Sequence, residues 1–147
     1  SPRMRFDVSV NALTISALKK NIITVFGGKQ IRPNIHIDDI TNLYLYLLKV
    51  NKKYAGTYNA GFENRSIIQI AKEVALRTGA KVRVIKDQND PRSYRLDSSK
   101  LIRLGFKPKK KFTDAISEIQ KLYLQKKLKD HPSFHSVKWL KEKLIKY

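Results

Sequence analysis

The chain has 147 residues, enough for one compact domain, and 41% of them are hydrophobic, which argues against global disorder. It contains no cysteine, so disulfides and thiolate metal sites are excluded and a reducing compartment is favoured. No apolar run approaches the roughly 20 residues that a membrane span needs, and no signal-peptide pattern opens the chain. We therefore expect a folded cytoplasmic protein that does not enter a membrane.

The net charge of +19 is unevenly placed, because residues 76–147 hold 20 basic against 7 acidic residues. Such an excess is typical of nucleic-acid-binding proteins, which neutralise phosphates and release counterions. Here the basic residues are mostly lysines scattered over predicted helices, without arginines interleaved with aromatic residues and without a known reading motif. Solvated helix faces are the preferred interpretation, and nucleic acid is an unlikely partner.

The first half of the chain predicts helices and strands in alternation. Apolar residues at helical spacing predict a first helix, with the stripe Phe6, Val10, Leu13 and Ala17. A short strand is predicted at 22–26, ended by two glycines, and segment 56–61 (GTYNAG) resembles a short buried strand between glycines. Between them a second helix is predicted, with an inward face of Ile40, Leu43, Tyr44, Leu47 and Leu48.

The second half continues the alternation. Ser66 and Gln69 form a capping box that starts a helix, and Gly79 ends it. Residues 81–85 alternate between charged and apolar side chains, as a half-exposed strand does. Asp97 is placed to cap a short helix that ends near Gly105. Two more amphipathic helices are predicted, from Thr113 with Ala115, Ile116, Ile119 and Tyr123 inward, and from Val137 with Leu140 and Leu144 on the same face. The fold class is therefore α/β, with an α+β-like character.

The stretch RPNIHIDDI, residues 32–40, concentrates the groups that could do chemistry. His36 lies in a strand-like stretch and is interpreted as a packed, structural histidine. Asp38 and Asp39 precede a helix whose free N–H groups and dipole favour negative charge, so helix capping explains them without catalysis. Arg32 follows a glycine-bearing loop, where a guanidinium can fork onto phosphate oxygens, although a plain surface arginine remains the alternative.

Other catalytic and metal-binding patterns are missing from the sequence. There is no Gly-x-Ser-x-Gly elbow, no P-loop and no G-x-G-x-x-G turn. His131 and His135 have the i, i+4 spacing of a helical metal site, but Pro132 lies between them and no glutamate accompanies them. We therefore predict neither a catalytic residue nor a metal ligand in this chain.

Four stretches resemble, in family order, the C-terminal part of the extended short-chain dehydrogenases/reductases, and more narrowly the NAD-dependent nucleotide-sugar epimerases and dehydratases. They are SPRMRFDVSVNALT, ITVFGGKQIRPNIHIDDI, TYNAG followed by SIIQIAKEV, and DPRSYRLDSSKLIRLGFKP, and the resemblance covers about residues 1–125. It implies a substrate-binding part with the last strand of the sheet. The Rossmann half, with its glycine-rich turn and catalytic Tyr-x-x-x-Lys, is not in the sequence, and since the chain opens at Ser1 in a loop-like stretch we expect a fragment. Tyr123 and Lys127 have the right spacing, but they lie in a late amphipathic helix.

The resemblance also implies which residues meet the substrate. Arg32 matches an arginine that contacts the diphosphate or its ribose, and Asn11 lies where the family contacts the diphosphate. Thr24, Val25 and Phe26 match a strand along the nucleobase. Asp90 matches an acidic residue that binds ribose hydroxyls, Tyr94 lies beside the sugar, and Arg92 is a second phosphate ligand. The chain has Lys86-Asp87-Gln88-Asn89 where many members have an arginine, which leaves that second phosphate contact open between Lys86 and Arg92.

The predicted function follows from this resemblance. Residues 1–129 are the nucleotide-sugar-binding part of an NAD-dependent epimerase or dehydratase, and 130–147 form a basic helical tail. NAD belongs to the intact parent enzyme, and this chain alone is expected to be inactive and not to bind NAD tightly. The expected partners are a nucleotide-diphosphate sugar and either further copies of the chain or a complementary Rossmann half. A non-catalytic binding or assembly module is the alternative, and a basic nucleic-acid-binding domain is a less favoured one.

Overall fold

A computed structural model describes residues 4–86, 90–128 and 130–144 of the chain. Its elements alternate along the sequence, as the apolar periodicity predicts. The helices are α1 Ser9–Lys20, α2 Ile37–Leu47, α3 Ile67–Thr78, α4 Ser99–Arg103, α5 Phe112–Leu124 and α6 Ser136–Leu144, and the strands are β1 Ile22–Phe26, β2 Ile31–Asn34, β3 Glu63–Ser66 and β4 Lys81–Ile85. None of these helices is long and apolar enough to cross a membrane.

The strands form two small sheets rather than one. β1 and β4 are parallel, with Ile22 opposite Lys81 and Phe26 opposite Ile85. β2 and β3 are antiparallel, with Ile31 opposite Ser66. A parallel pair needs a long crossover, and here the crossover contains β2, α2, β3 and α3. The mixed α/β class predicted from the sequence is thereby confirmed.

The main core lies where β1 packs against α1, α3 and α5. Ile23 and Val25 alternate inward from β1 and are 0% and 1% exposed, and Ile70, Val74 and Ile116 are 0% exposed beside them. Each fully buried aliphatic side chain contributes about 1.5–3 kcal/mol relative to exposure. The predicted capping box at the start of α3 forms, and Gly79 ends that helix at φ 75°.

Helix α2 begins three residues earlier than its apolar stripe predicts. His36, rather than an aspartate, is its N-cap residue and accepts the Asp38 N–H at Nδ1. Its backbone is extended although it lies after the end of β2, and at 4% exposure it is the packed, structural histidine that was predicted. Asp38 and Asp39 lie in the first turn, and Asp39 is 1% exposed because it accepts the backbone N–H groups of Lys109 and Lys110 at 2.9–3.2 Å. The carboxylate therefore holds a distant loop instead of capping its own helix.

The buried face of α2 is rotated relative to the predicted one. Asp39 and Leu43 are buried, whereas Tyr44 is 69% and Leu48 is 83% exposed. The burial of Asp39 beneath the 109–110 loop turns the inward face toward α4, where Leu43 packs with Leu101 and Phe106. The predicted inward positions of Tyr44 and Leu48 are consequently wrong.

Segment 56–61 is not the strand that its flanking glycines indicated. Strand β3 begins only at Glu63, and the segment is bound instead by polar groups of residues 97–100. The Gly61 N–H donates to Ser98 Oγ at 3.0 Å, Asn59 Nδ2 donates to the Asp97 carbonyl, and Lys100 Nζ donates to the Thr57 carbonyl. These bonds replace a strand ladder as partners for the backbone.

The tail after α5 packs against the beginning of the chain. The Phe6 N–H donates to the Phe134 carbonyl at 2.8 Å, and the two rings meet edge to face with centroids 5.3 Å apart. Asp7 accepts the Val137 N–H at 3.2 Å, so α6 begins beside the loop before α1. Within its described part, Ser136–Leu144, helix α6 has no buried side chain, and residues 145–147 of the predicted tail helix lie outside the described residues.

Candidate functional site

A cavity of about 600 Å³ opens where the C-terminal end of β1, the start of β2 and the start of α1 meet. The segment from Asp90 to Tyr94 closes one side of it. Seven of the eight residues predicted to meet the substrate line this cavity: Thr24, Val25, Phe26, Arg32, Asp90, Arg92 and Tyr94. The fold thus brings residues from three distant segments together at one place.

Arg32 is the charged group that the fold fixes most firmly in this cavity. Strand β2 carries it, and its side chain is only 17% exposed. Nη2 donates to Asp90 Oδ2 at 2.8 Å, and Nη1 donates to the backbone carbonyls of Ile31 and Arg92. The guanidinium carbon lies 5.5 Å from the centroid of the Tyr94 ring, within cation–π range.

Asp90 lies between two arginines. Its Oδ1 accepts from Arg92 Nε at 2.8 Å and from the Arg92 backbone N–H at 3.0 Å, while Oδ2 accepts from Arg92 Nη2 and Arg32 Nη2, both at 2.8 Å. The hydrogen bonds from Arg92, assisted by the charge of Arg32, hold the pKa of Asp90 well below its usual value. Arg92 itself is 79% exposed, so its guanidinium still faces solvent.

The 90–94 segment is attached to the edge of β2. Ile31 provides both attachment points, because its N–H donates to Ser93 Oγ at 3.0 Å and its carbonyl accepts from the Tyr94 N–H at 3.3 Å. This docking sets Asp90 and Arg92 over the cavity. Lys86, the alternative second phosphate ligand, is not among the lining residues, and residues 87–89 lie outside the described part of the chain.

Strand β1 presents only alternate side chains to the cavity. Val25 points into the core and is 1% exposed, whereas Phe26 is 45% exposed and Thr24 is half-buried. A ligand lying along this strand would therefore meet the side chains of Thr24 and Phe26 and little more than the backbone of Val25.

Asn11 is the predicted substrate residue that does not line the cavity. It lies on the first turn of α1, and its Nδ2 donates to the Arg5 carbonyl at 2.8 Å. The amide thus fixes the loop before α1, and through it Arg5, which does line the cavity and is ion-paired with Asp7 at 2.9 Å. A direct contact between Asn11 and the diphosphate stays a prediction.

Gln30 is a cavity residue that the sequence did not reveal. Its Nε2 donates to the Phe26 carbonyl at 2.9 Å and its Oε1 accepts the Gly28 N–H at 2.7 Å, which fixes the turn between β1 and β2. Gly28 has φ 95°, and a Cβ there would lie 2.9 Å from Val25 Cγ1. The pair of glycines indicated the turn, but no periodicity marks the glutamine that braces it.

One cluster among the described residues has three possible metal-binding groups, on His36, Asp38 and Glu118. His36 already accepts the Asp38 N–H at Nδ1, and its Nε2 lies 3.2 Å from Glu118 Oε2. Lys110 Nζ contacts both carboxylates, at 3.0 Å to Glu118 and 3.8 Å to Asp38. Burial opposes ionisation of Glu118, but Lys110 and His36 outweigh it and lower its pKa. The Lys110 ammonium supplies the positive charge that a metal ion would bring to these carboxylates. The cluster therefore links α2 to α5.

The remaining sequence candidates have structural surroundings as well. His135 Nε2 lies 2.8 Å from Asp130 Oδ1, and His131 accepts the Ser133 N–H. Helix α5 ends at Leu124, so Tyr123 and Lys127 do not share a helix face as a catalytic Tyr-x-x-x-Lys pair requires.

Comparison with known proteins identifies solved structures that share this architecture. No protein-family model matches the chain. Among solved structures, UDP-glucuronic acid 4-epimerase from Bacillus cereus, in complex with UDP-glucuronic acid and NAD, is 27% identical with a TM-score of 0.65, over 83% of this chain and 42% of that one. The chain has the fold of one part of an extended short-chain dehydrogenase/reductase.

Two other solved structures show how widely this extended short-chain dehydrogenase/reductase part is shared. GDP-L-fucose synthetase from Naegleria fowleri is similar at a TM-score of 0.70 and 17% identity, covering 87% of this chain and 44% of that one. The NADP-bound GDP-mannoheptose C4 reductase from Campylobacter jejuni is 25% identical at a TM-score of 0.59, over 70% of this chain and 32% of that one. The chain spans less than half the length of each of these structures, which are an epimerase, a synthetase and a reductase.

Proposed function

We propose that this chain is the nucleotide-sugar-binding half of an NAD-dependent nucleotide-sugar epimerase or dehydratase. The observation that carries the proposal is the position of Arg32, a mostly buried guanidinium fixed in the wall of a cavity of about 600 Å³. That volume lies within the range of about 300–1,000 Å³ that small-molecule sites have. Guanidinium groups bind phosphate oxygens through paired N–H donors, which suits a diphosphate.

The charges around the cavity favour an anion. Its lining contains three arginines against two aspartates, Asp7 and Asp90, so one positive charge is left over. A diphosphate placed on the outer N–H groups of Arg32 and Arg92 would share those donors with Asp90. The nucleobase would then lie along β1 beside Thr24 and Phe26, and Tyr94 would lie near the sugar. This arrangement assigns to each residue the role that its family position implies.

The chemistry itself requires groups that this chain does not supply. NAD accepts and returns a hydride in such enzymes, but the residues here do not fit it, because the only paired glycines, Gly27 and Gly28, lead from β1 into β2 and not into a helix N-terminus. We assign NAD and the catalytic base to a separate Rossmann half. The part of this chain is to hold and orient the nucleotide-sugar, which is where much of an enzyme's advantage over solution arises.

The partner half has a candidate contact face on α2. Four apolar side chains on one side of that helix are exposed: Ile37 at 48%, Tyr44 at 69%, Leu45 at 54% and Leu48 at 83%. Tyr44, Leu45 and Leu48 lie seven, eight and eleven residues after Ile37, so the four side chains form one stripe along the helix. We assign the stripe to the Rossmann half, because an exposed apolar patch of this kind marks a surface that a partner covers.

Calorimetric titration with UDP- and GDP-sugars tests the binding function. Arg32→Ala should weaken the affinity roughly tenfold to 150-fold, because hydrogen bonds to charged groups contribute about 1.5–3 kcal/mol. Arg32→Lys keeps the positive charge but loses the paired N–H donors of the guanidinium, and should recover only part of the lost affinity. Arg83→Ala, which removes an exposed arginine from β4, is the matched control. Equal affinities of the wild type and Arg32→Ala would contradict the proposal.

A further inference from the structure

A second cavity, of about 560 Å³, lies on another part of the surface. It is formed by the C-terminal end of α2, the 51–58 segment with its short 3-10 turn Lys52–Tyr54, and α4. It shares no lining residue with the cavity at Arg32. Its walls contain three tyrosines, Tyr46, Tyr54 and Tyr58, and three cations, Lys49, Lys100 and Arg103.

Two of the tyrosines are held in place by their own hydrogen bonds. Tyr46 Oη donates to the Leu104 carbonyl at 2.7 Å, which ties α2 to the end of α4. Tyr58 Oη donates to the Tyr54 carbonyl. Lys100 Nζ lies 4.5 Å from the centroid of the Tyr58 ring and donates to the Thr57 carbonyl at 3.0 Å. The aromatic walls are therefore formed before any ligand arrives.

The cations of this cavity have little acidic neutralisation. The residues that line it include these three cations and no aspartate or glutamate, and Asp97, whose pKa is lowered in part by the charge of Arg103, is not a lining residue. Within the described parts of the chain, no ion pair joins Lys49, Lys100 or Arg103 to a carboxylate. The C-terminal end of α2 brings about half a negative charge, against which three full positive charges stand.

We propose that this cavity binds one nucleotide unit, with the base stacked on the Tyr54 ring and the phosphate on Lys100 and Arg103. Tyrosine rings stack on bases of any sequence, and lysine and arginine beside them bind the phosphate, which is the combination that single-stranded nucleic-acid sites use. Tyr54 is 46% exposed, and Lys53 Nζ lies 5.0 Å from the centroid of its ring, so the base would stack on the ring face that Lys53 does not cover. The unit comes either from a free nucleotide or from an unpaired stretch of RNA or DNA.

The sequence hides this combination because the two kinds of residue come from different segments. Tyr46, Tyr54 and Tyr58 lie within one stretch, whereas Lys100 and Arg103 come from α4, more than 40 residues later. No run of alternating basic and aromatic residues is visible. The cavity is also distinct from the basic tail, because none of its lining residues belongs to 130–147.

The test uses residues 1–147 with Arg32→Ala, so that the nucleotide-sugar cavity takes up the probes only weakly. ADP, a twelve-residue oligo(A) RNA and polyphosphate are titrated at about 50 mM and 200 mM salt. Tyr54→Ala should weaken binding of ADP or oligo(A) on the order of tenfold, while Tyr54→Phe should keep it. Lys100→Ala should weaken it and lower the salt slope by about one. Lys72→Ala on α3 is the control for removing an exposed lysine.

Each outcome decides the proposal. Binding of ADP alone identifies a free-nucleotide site, and binding of oligo(A) at much higher affinity than ADP identifies a polynucleotide site; both support it if Tyr54→Ala weakens them. Equal binding of polyphosphate with no effect of Tyr54→Ala means general charge attraction and overturns it. Absence of binding by ADP and oligo(A) at the lower salt concentration overturns it as well. Because Tyr54 and Lys100 lie outside the cavity at Arg32, either result leaves the nucleotide-sugar proposal to its own test.

Discussion

Arg32 on β2 and Asp90 in the loop between β4 and α4 form an ion pair at 2.8 Å, although 58 residues separate them in the chain. The pair closes one side of the cavity in the absence of ligand. Asp90 uses the same guanidinium N–H groups that a diphosphate needs, so the carboxylate and the ligand compete. The arginines are thereby kept in position, at the cost of some affinity for a bare anion.

Asp90→Asn should separate these two effects. Removing the negative charge frees donors on Arg32 and Arg92, so inorganic pyrophosphate should bind several-fold more tightly to the variant than to the wild type. A nucleotide-sugar should gain less, because the resemblance assigns to Asp90 a bond with the ribose. Calorimetry with both ligands measures the difference, and Asp97→Asn in the same loop region is the control. Weaker pyrophosphate binding would contradict the competition.

Acid should loosen the same contact. The pKa of Asp90 in the folded chain is lowered below the unfolded value of about 3.9, chiefly by the Arg92 hydrogen bonds. Its stabilising contribution is therefore complete above that value and is lost as the pH falls toward the folded-state pKa. The pKa values of four other carboxyl groups are also lowered, those of Asp7, Asp97, Glu118 and Asp130.

For that reason the measurement is a difference. Urea unfolding of the wild type and of Asp90→Asn is compared between pH 2 and pH 6. The stability advantage of the wild type over the variant should be constant from pH 6 to about pH 4 and decline below it. An advantage that does not change down to pH 2 would contradict the contribution of this ion pair.

Asp39 should be far more important for stability than its neighbour Asp38. Its carboxylate is 1% exposed and accepts the N–H groups of Lys109 and Lys110. Asp39→Asn leaves one oxygen for these donors and points an amide group at them, which should cost about 2–4 kcal/mol in the free energy of unfolding. Asp38→Asn makes the same chemical change at a side chain that is 56% exposed, and should cost less than about 1 kcal/mol. Similar unfolding midpoints for the two variants would contradict this assignment.

The features predicted correctly are those that depend on residues close together in the sequence. The capping box between Ser66 and Gln69, the strand at Ile22–Phe26 and the stop at Gly79 all depend on residues within a few positions of each other, and all were found. The strand expected at 56–61 and the inward face expected for α2 failed because their partners lie far away along the chain. Ser98, Lys109 and Lys110 take backbone or carboxylate partners that no local pattern specifies.

The candidate site was located through resemblance rather than through local chemistry. No physical pattern in the sequence joins Arg32 to Asp90 or places Tyr94 beside them. The order of four family-like stretches predicted that they belong to one site. Asn11 shows the limit of that method, because its position matches but its amide bonds to the Arg5 carbonyl. Gln30 shows the opposite limit: a residue between a glycine turn and a strand carries no periodic signal, yet it braces the cavity.

The exposed stripe on α2 should make the isolated chain self-associate. Ile37, Tyr44, Leu45 and Leu48 present apolar area that a Rossmann half would cover. Without that half, light scattering should show an apparent mass that rises with protein concentration. Leu45→Lys combined with Leu48→Lys should keep the chain monomeric without lowering its stability.

Leu76→Lys provides the control, because Leu76 on α3 is 78% exposed but lies outside the stripe. It should leave the concentration dependence unchanged. A wild type that stays monomeric at high concentration would contradict self-association through the stripe. If Leu76→Lys reduces the apparent mass as much as the double variant does, the reduction comes from added positive charge and not from loss of the stripe.

The tail should stabilise the entrance to the nucleotide-sugar cavity. Phe134 packs against the ring of Phe6, which is 5% exposed, and residue 137 binds Asp7 through its N–H. Asp7 lines the cavity and pairs with Arg5, so the tail contacts reach the site through one residue. Phe134→Ala should therefore lower the free energy of unfolding by about 1–3 kcal/mol, less than a fully buried phenylalanine would, and weaken nucleotide-sugar binding slightly.

Val137→Ala is the matched control, since its side chain is 58% exposed and its N–H bond to Asp7 is kept. It should change neither stability nor affinity by more than about 0.5 kcal/mol. Urea unfolding and calorimetry on the same samples separate the two effects. If Phe134→Ala unfolds as the wild type does, the tail is an appendage and the boundary predicted near residue 130 is a boundary between independent parts. If Phe134→Ala is destabilised, the tail and the loop before α1 belong to the same core, because the variant loses stability only if the contact between Phe134 and Phe6 contributes to folding.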